Sequence, residues 1–537
     1  MNTPTTQPVR RVVIAGGSTA GWMMAALMSK LLGRQLDIKL VESEEIGTVG
    51  VGEATIPALH TFHNLLGINE AEFMAATNAT FKLGIHFEGW KDIGEDYFHS
   101  FGSTGNDHWS AGFQHFWLKG VAEGLARPYT DYNPETVAAF ANRFAHLPRN
   151  GLNYAYHLDA GRYARYLRAM SEAHGVQRIE GRIAAVLQDG PQGRAGDITA
   201  LQMQDGTRIA GELFIDCTGF RSLLLGETLG VGYEDWSCWL PCDRAVAVQT
   251  ASVREAWPYT RAICHPFGWQ WRIPLQNRVG NGLVYSSREL SDADAPEVLK
   301  QHVEGELLIP PRLLKFTPGQ RAKAWERNCI AVGLASGFVE PLESTSIHLI
   351  QRSAIRLMQL FPGGGIKPAD IEEYNQQSRR ELEHIRDFIV LHYHVNARTD
   401  SRLWRDVRDM ELPATLRHRI ELFRASARVF RPSDELFAEN SWIQVMLGQG
   451  IAPQAYHPVA DLMGRPELSN FLGDIQLKVS RTVAGLPGHQ AYVEQLCAPY
   501  RSASTAQLAV TRANRTTMAQ PRANARPVPV RLPTARP

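Results

Sequence analysis

No stretch of the 537-residue chain is apolar for long enough to cross a bilayer, which takes roughly 20 such residues. The opening residues, MNTPTTQPVRR, hold no apolar segment of the kind that a secretory leader requires. A cytoplasmic setting is expected. Charge of one sign is missing as well: 56 lysines and arginines face 55 aspartates and glutamates, a formal net charge of +1. That balance gives neither nucleic acid nor a membrane surface an electrostatic claim as the main partner. Cysteine is sparse. The six residues are scattered, with only Cys238 and Cys242 close together, so there is neither a zinc spacing nor a compact disulfide framework, and no metal is expected. The chain is too long for one ordinary core, so more than one domain or a large elaborated one is expected.

Against these absences stands one stretch, RVVIAGGSTAGWMM, at residues 11–24. Val12, Val13 and Ile14 form a short β-branched run suited to a buried parallel strand. It enters a glycine-rich turn and then a helix expected to begin near Trp22. Gly16 permits the tight turn, Gly21 lets helix and strand approach, and the freed backbone N–H groups point at a pyrophosphate. A second apolar strand, residues 36–41, ends at Glu42, where an acid can bond a ribose hydroxyl. The central glycine of the usual G-x-G-x-x-G is Ser18 here, which adds a Cβ where backbone and phosphate meet. Dinucleotide binding is expected.

The rest of the chain supplies elements around this one. The loop GTVGVGEATIPAL, residues 47–59, has the glycines needed to approach a cofactor ring. Residues 80–90, TFKLGIHFEGW, nearly alternate and predict one half-buried strand, with Lys82 and His86 on a shared, solvated face. Residues 97–117 carry seven aromatics with His99, His108 and His115 among them, a pattern that fits a pocket for a flat substrate or a second core equally. Tyr163, Tyr166, Leu167 and Met170 share a helical face, and a hairpin-like region follows over 177–215. LFIDCTG, residues 213–219, reads as a strand whose C-terminal edge meets a ligand. Alternation over 233–285 includes Trp269 and Trp271, two apart and so on one face, before Pro274. CIAVGLASG, residues 329–337, reads as a further buried strand. Ser344, Thr345 and Ser346 are N-cap types ahead of a helix carrying Ile347, Ile350, Ala354, Leu357 and Met358, whose N-terminus would suit an anion. Glu343 reads, from position alone, as a helix-dipole carboxylate. Residues 368–434 read as mostly helical with solvated Arg- and Glu-rich faces, and His392 and His394 as a surface pair. The tail over 501–537, with seven arginines, no acid and repeated Pro and Ala, cannot bury a core and is expected to be disordered.

Taken together, GGSTAGW (16–22), GVGEATIP (50–57), FKLGI (81–85), GWQWRIP (268–274) and EPLESTS (340–346) resemble flavin-dependent halogenases of the tryptophan halogenase type over residues 10–460. The resemblance implies an α/β fold with a flavin monooxygenase-like FAD-binding domain, inserted strands and a mostly helical C-terminal region. It divides the chain into a short tail over 1–9, a core over 10–365, a helical region over 366–500 that completes the substrate site, and the tail. Cofactor contacts fall to Gly16, Ser18, Thr19, Ala20, Gly21, Glu42, Val51, Ala54, Leu334 and Ile347. In the family, reduced FAD and O2 give a flavin hydroperoxide; a halide attacks it, and hypohalous acid travels to a lysine, here Lys82. Glu343 matches the second family residue, which polarises the electrophile or takes the ring proton. Thr345 and Ser346 match the halide site, and His99 and Phe101 the indole pocket. Trp269, Trp271, Ile273 and Pro274 match the motif that keeps the organic substrate from the flavin.

The resemblance also implies a separate NAD(P)H-dependent reductase supplying FADH2, since the chain shows no nicotinamide motif of its own; a homodimer is left open. Ser346 stands where many members have glycine, and LFAENSWIQVMLGQ, residues 436–449, lacks the aromatic and acidic set that clamps free tryptophan. An indole-like substrate is therefore expected, with bromination of a simple indole favoured over chlorination of free tryptophan. Two other readings compete: an aromatic hydroxylase, and an FAD-binding protein without catalysis.

Overall fold

The computed structural model describes residues 8–45, 52–147, 151–191, 195–432 and 434–501. The expected cofactor contact at Val51 and the tail beyond Arg501 lie outside them.

The Val12–Val13–Ile14 run forms the strand Arg11–Ala15 near the middle of a six-stranded sheet, with only Arg11 exposed. Asp37–Glu42 and Leu213–Asp216 flank it in parallel, and Ile14 sits level with Leu40 on one side and Ile215 on the other. Gln177–Glu180 and Cys329–Ala331 extend the sheet in parallel, and Trp325–Glu326 closes one edge as an antiparallel strand. Branched residues buried on both faces are what a parallel sheet covered by helices selects. The covering helix is Thr19–Leu32, which packs against helices Ala160–Ala173 and Ser346–Gln359. It begins three residues earlier than expected, directly after Ser18, and the second strand begins at Asp37. Tyr163, Tyr166, Leu167 and Met170 are buried along the inner face of their helix.

A second, seven-stranded sheet holds, in order, Arg312–Lys315, Arg244–Thr250, Val279–Tyr285, Gly268–Pro274, Thr260–His265, Gly84–Glu88 and Asp96–Ser100. A small third sheet holds, in order, Glu53–Ala54, Ala155–Leu158 and Thr80–Lys82. The expected single strand over 80–90 is thus two strands in different sheets. Leu83 is the crossing point: its N–H donates to Pro258 O at 2.7 Å and its carbonyl accepts from Phe101 N at 3.0 Å. Lys82 and His86 therefore share no face. His86 bonds Asp96 at 2.6 Å near the surface, whereas Lys82 is wholly buried.

Beyond the sheets the chain is helical, led by Pro368–His394 and followed by Arg402–Asp409, Ala414–Ser426, Glu439–Gly448, Arg465–Ala484 and His489–Cys497. The solvated faces expected here are partly wrong. Glu381 is buried against Arg356 at 2.6 Å, and Arg386 lies over the rings of Trp236 and Trp239 at 4.9 and 4.7 Å. A long charged stem covers apolar surface when its head finds a partner, so composition overstated the exposure. Among the described residues no helix is long and apolar enough to cross a membrane.

Candidate functional site

At the C-terminal edge of the six-stranded sheet the chain makes its glycine turn around a cavity of about 1690 Å³. Three glycines there tolerate no side chain. Gly16 has φ +110°, and a Cβ on it would lie 2.2 Å from Cys217 O; one on Gly17 would lie 1.6 Å from Glu42 Oε2; one on Gly21 would lie 1.9 Å from Gly16 O. This is the close approach of strand, turn and helix that a pyrophosphate site needs. A cavity well above the roughly 300–1,000 Å³ of a drug-sized site suits an elongated dinucleotide. The residues present therefore fit FAD.

Of the cofactor positions expected from the sequence, Gly16, Ser18, Thr19, Ala20, Glu42, Ala54, Leu334 and Ile347 line this cavity, and Gly21 is buried in the helix that follows without lining it. Glu42 ion-pairs with Arg178 and, at 3.5 Å, Arg168, and accepts from Trp22 Nε1 at 3.2 Å. Trp269, Trp271 and Ile273 form one wall, while Pro274 ends their strand away from the cavity. The two indoles stand on one face with centroids 6.0 Å apart and planes tilted by 57°.

Lys82, Glu343, His99, Phe101 and Thr345 do not line the cavity; Ser344 and Ser346 do. Ser344 is the junction. It holds a left-handed φ of +60°, uncommon for serine, and its Oγ accepts a 2.8 Å hydrogen bond from Lys82 Nζ behind it. Lys82 also donates to Thr55 O at 3.1 Å and lies 4.9 Å from the centre of the Phe101 ring. Burial lowers its pKa to about 7, with the nearby Glu343 charge opposing the fall. Thr345 caps the helix Ser346–Gln359 without a side-chain capping bond, and its buried Oγ1 has no partner among the described residues.

Glu343 is not the helix-end carboxylate that its position suggested. It is buried in the turn Pro341–Glu343 between two histidines: His99 Nδ1 donates to it at 2.9 Å, and His392 Nε2 lies 2.8 Å from Oε1. Burial raises its pKa, but the histidines outweigh this and hold it at about 2, so the carboxylate is ionised. Tyr97 O–H meets the other ring nitrogen of His392 at 2.5 Å. The surface pair expected at His392 and His394 is thereby corrected: His392 is wholly buried and reaches the site, whereas His394 is partly exposed. Residues two apart on a helix point about 200° away from each other, so only one of the two could face inward. The open question over 97–117 divides likewise. Tyr97, His99 and Phe101 reach the site, while Phe113 and Phe116 pack into a separate core with Leu468 and Leu472.

The tryptophan halogenase family model matches residues 11–465. The chain belongs to the tryptophan halogenase family. Tryptophan 6-halogenase SttH of Streptomyces toxytricini is 35% identical over 82% of this chain and 89% of its own length. The solved structure of Xcc4156, a flavin-dependent halogenase from Xanthomonas campestris, is 63% identical with a TM-score of 0.89, covering 91% of this chain and 99% of that one. BrvH, a flavin-dependent halogenase from Brevundimonas sp. BAL3, is 43% identical with a TM-score of 0.86 over 91% and 99% of the two chains. The protein is thus an enzyme of the flavin-dependent halogenase class, with the α/β, FAD-binding fold of that class. In this halogenase, Lys82 reaches the cavity lining through Ser344, the residue that follows Glu343, while neither Lys82 nor Glu343 lines the cavity itself.

Proposed function

We propose that this halogenase brominates or chlorinates an indole-like aromatic, with Lys82 presenting the electrophile and Glu343 receiving the ring proton. Bound FADH2 and O2 would supply the oxidising equivalent that makes a halide electrophilic. The backbone at Thr345 and Ser346, at the start of a 14-residue helix, is the natural place for the halide itself. Lys82 would then bond the resulting hypohalous acid through Nζ. An ammonium donor there sharpens a weak electrophile and fixes where it meets the ring. Its pKa of about 7 lets it give or keep a proton near neutrality. Glu343, already ionised, would take the proton released when the ring rearomatises, with His99 and His392 in contact to pass it on.

The observation that carries this reading is a fully buried lysine bonded to the serine of the helix-leading turn, next to a carboxylate clamped by two histidines. Phe101, over Lys82, supports a flat substrate. The name of SttH points to tryptophan; Ser346 and the region over 436–449 point to a simpler indole and bromide. We place the reductant supply with a separate flavin reductase and the reaction in the cytoplasm. Mass spectrometry of an indole panel, incubated with enzyme, FAD, a reductase and chloride or bromide, tests all of this. Halogenated indole is the expected product, and hydroxylated product in its place would favour the aromatic hydroxylase.

A further inference from the structure

Glu340 lies three residues before Glu343 at the start of the same turn and is wholly buried. Its Oε2 accepts two hydrogen bonds, from Trp269 Nε1 at 2.7 Å and from Tyr393 O–H at 2.5 Å. Its Oε1 has no partner, and among the described residues no cationic side chain pairs with it. A carboxyl so placed costs stability, and burial pushes its pKa up to about 7 against the two bonds it receives.

What the carboxyl joins is informative. Trp269 forms part of the cavity wall, and Tyr393 follows His392, which touches Glu343. Two adjacent residues of the helix Pro368–His394 thus each hold one glutamate of a single turn. Trp90 packs into the same corner, with its ring 6.2 Å from Trp269, 5.3 Å from Tyr393 and 6.1 Å from His392.

We propose that Glu340 is a positioning residue: by accepting from Trp269 and Tyr393 at once, it fixes the tryptophan wall of the cofactor cavity in register with the helix that holds Glu343. The role rests on the reading of the protein as a halogenase and of Trp269 as part of the separating wall. It is a role of acceptor geometry, so glutamine should serve in place of glutamate.

The test compares wild type, Glu340→Gln, Glu340→Leu and Tyr393→Phe, each also made with Trp269→Phe so that the emission of Trp269 is obtained by difference. Halogenated indole formed per FADH2 oxidised is measured alongside FAD affinity. The expected result is a roughly ten-fold fall in that ratio for Glu340→Leu, the loss that about 1.4 kcal/mol of misalignment would give, with a more easily quenched Trp269 and FAD affinity nearly kept. Glu340→Gln should restore both readouts to within about two-fold of wild type, and Tyr393→Phe should fall between. Unchanged coupling and quenching in Glu340→Leu would overturn the proposal, as would a Glu340→Gln variant as defective as the leucine one. If Glu340→Leu does not fold, Tyr393→Phe indistinguishable from wild type in both readouts overturns it. Failure of the wild type to halogenate any arene would instead strike the halogenase reading, leaving the Trp269 emission to judge the positioning.

Discussion

Replacing Glu343 by glutamine removes the charge of a carboxylate that meets His99 and His392 and acts on Lys82. The amide is nearly isosteric and can still meet His99 and His392, so the fold should survive. Two effects on rate follow. The first is loss of the proton acceptor, which for general acid–base groups costs roughly 10²-fold or more in the chemical step. The second acts through Lys82. Burial lowers its pKa from 10.5 to about 7, and the charge on Glu343 opposes that shift. Without the charge the lysine loses its proton at still lower pH. If the ammonium is the form that holds the electrophile, the limb of the rate profile that falls with rising pH moves acidward, by about half a unit or more. The assay is single-turnover halogenation across pH 6–9, begun from enzyme loaded with FADH2, with FADH2 oxidation followed in parallel. Oxidation should be nearly unchanged, because Glu343 lies outside the cofactor cavity. A rate within about two-fold of wild type at pH 7, with the basic limb unmoved, would refute both roles.

Lys82→Met should abolish halogenation yet raise the unfolding free energy by about 1–3 kcal/mol at pH 7. A lysine whose folded pKa lies below its unfolded value leaves the unfolded chain holding more protons between about 7 and 10.5, so wild-type stability rises with pH there and the gap between the two should close, as urea unfolding at a series of pH values will show. Gly21→Ala sets a Cβ 1.9 Å from Gly16 O and should weaken FAD binding about ten-fold or more, read from flavin fluorescence quenching. Ser346→Gly removes the one side chain that the first helical residue presents to the cavity, and in equal chloride and bromide it should move the product ratio toward chloride by about three-fold, measured by mass spectrometry.

The cofactor half of the site was legible because its signals are local. Strand, glycine turn, helix and second strand fall within residues 11–42, and their spacing carries the backbone geometry without help from distant parts of the chain. Lys82 was not legible from pattern. Period-two alternation runs unbroken through Leu83, yet there the chain leaves one sheet for another, and alternation records which side of a strand a residue takes, not which sheet the strand joins. The family motif singles out Lys82, which periodicity had placed in solvent and the structure buries.

His392 and Tyr393 lay beyond both kinds of signal. They belong to a 27-residue helix whose sequence reads as polar, and they meet the turn over 340–343 only through the tertiary packing of that helix on the seven-stranded sheet. A buried histidine on a polar helix looks like any surface histidine until its partner is known. Two features did point inward: a histidine–tyrosine pair at the end of the apolar run over 388–391, and the unassigned Glu340 in EPLESTS. A buried carboxyl needs donors and a buried tyrosine hydroxyl needs an acceptor. The same requirement that makes such groups costly also makes them pair, so a helix that reads as polar ends in two residues that meet the two glutamates of the turn over 340–343.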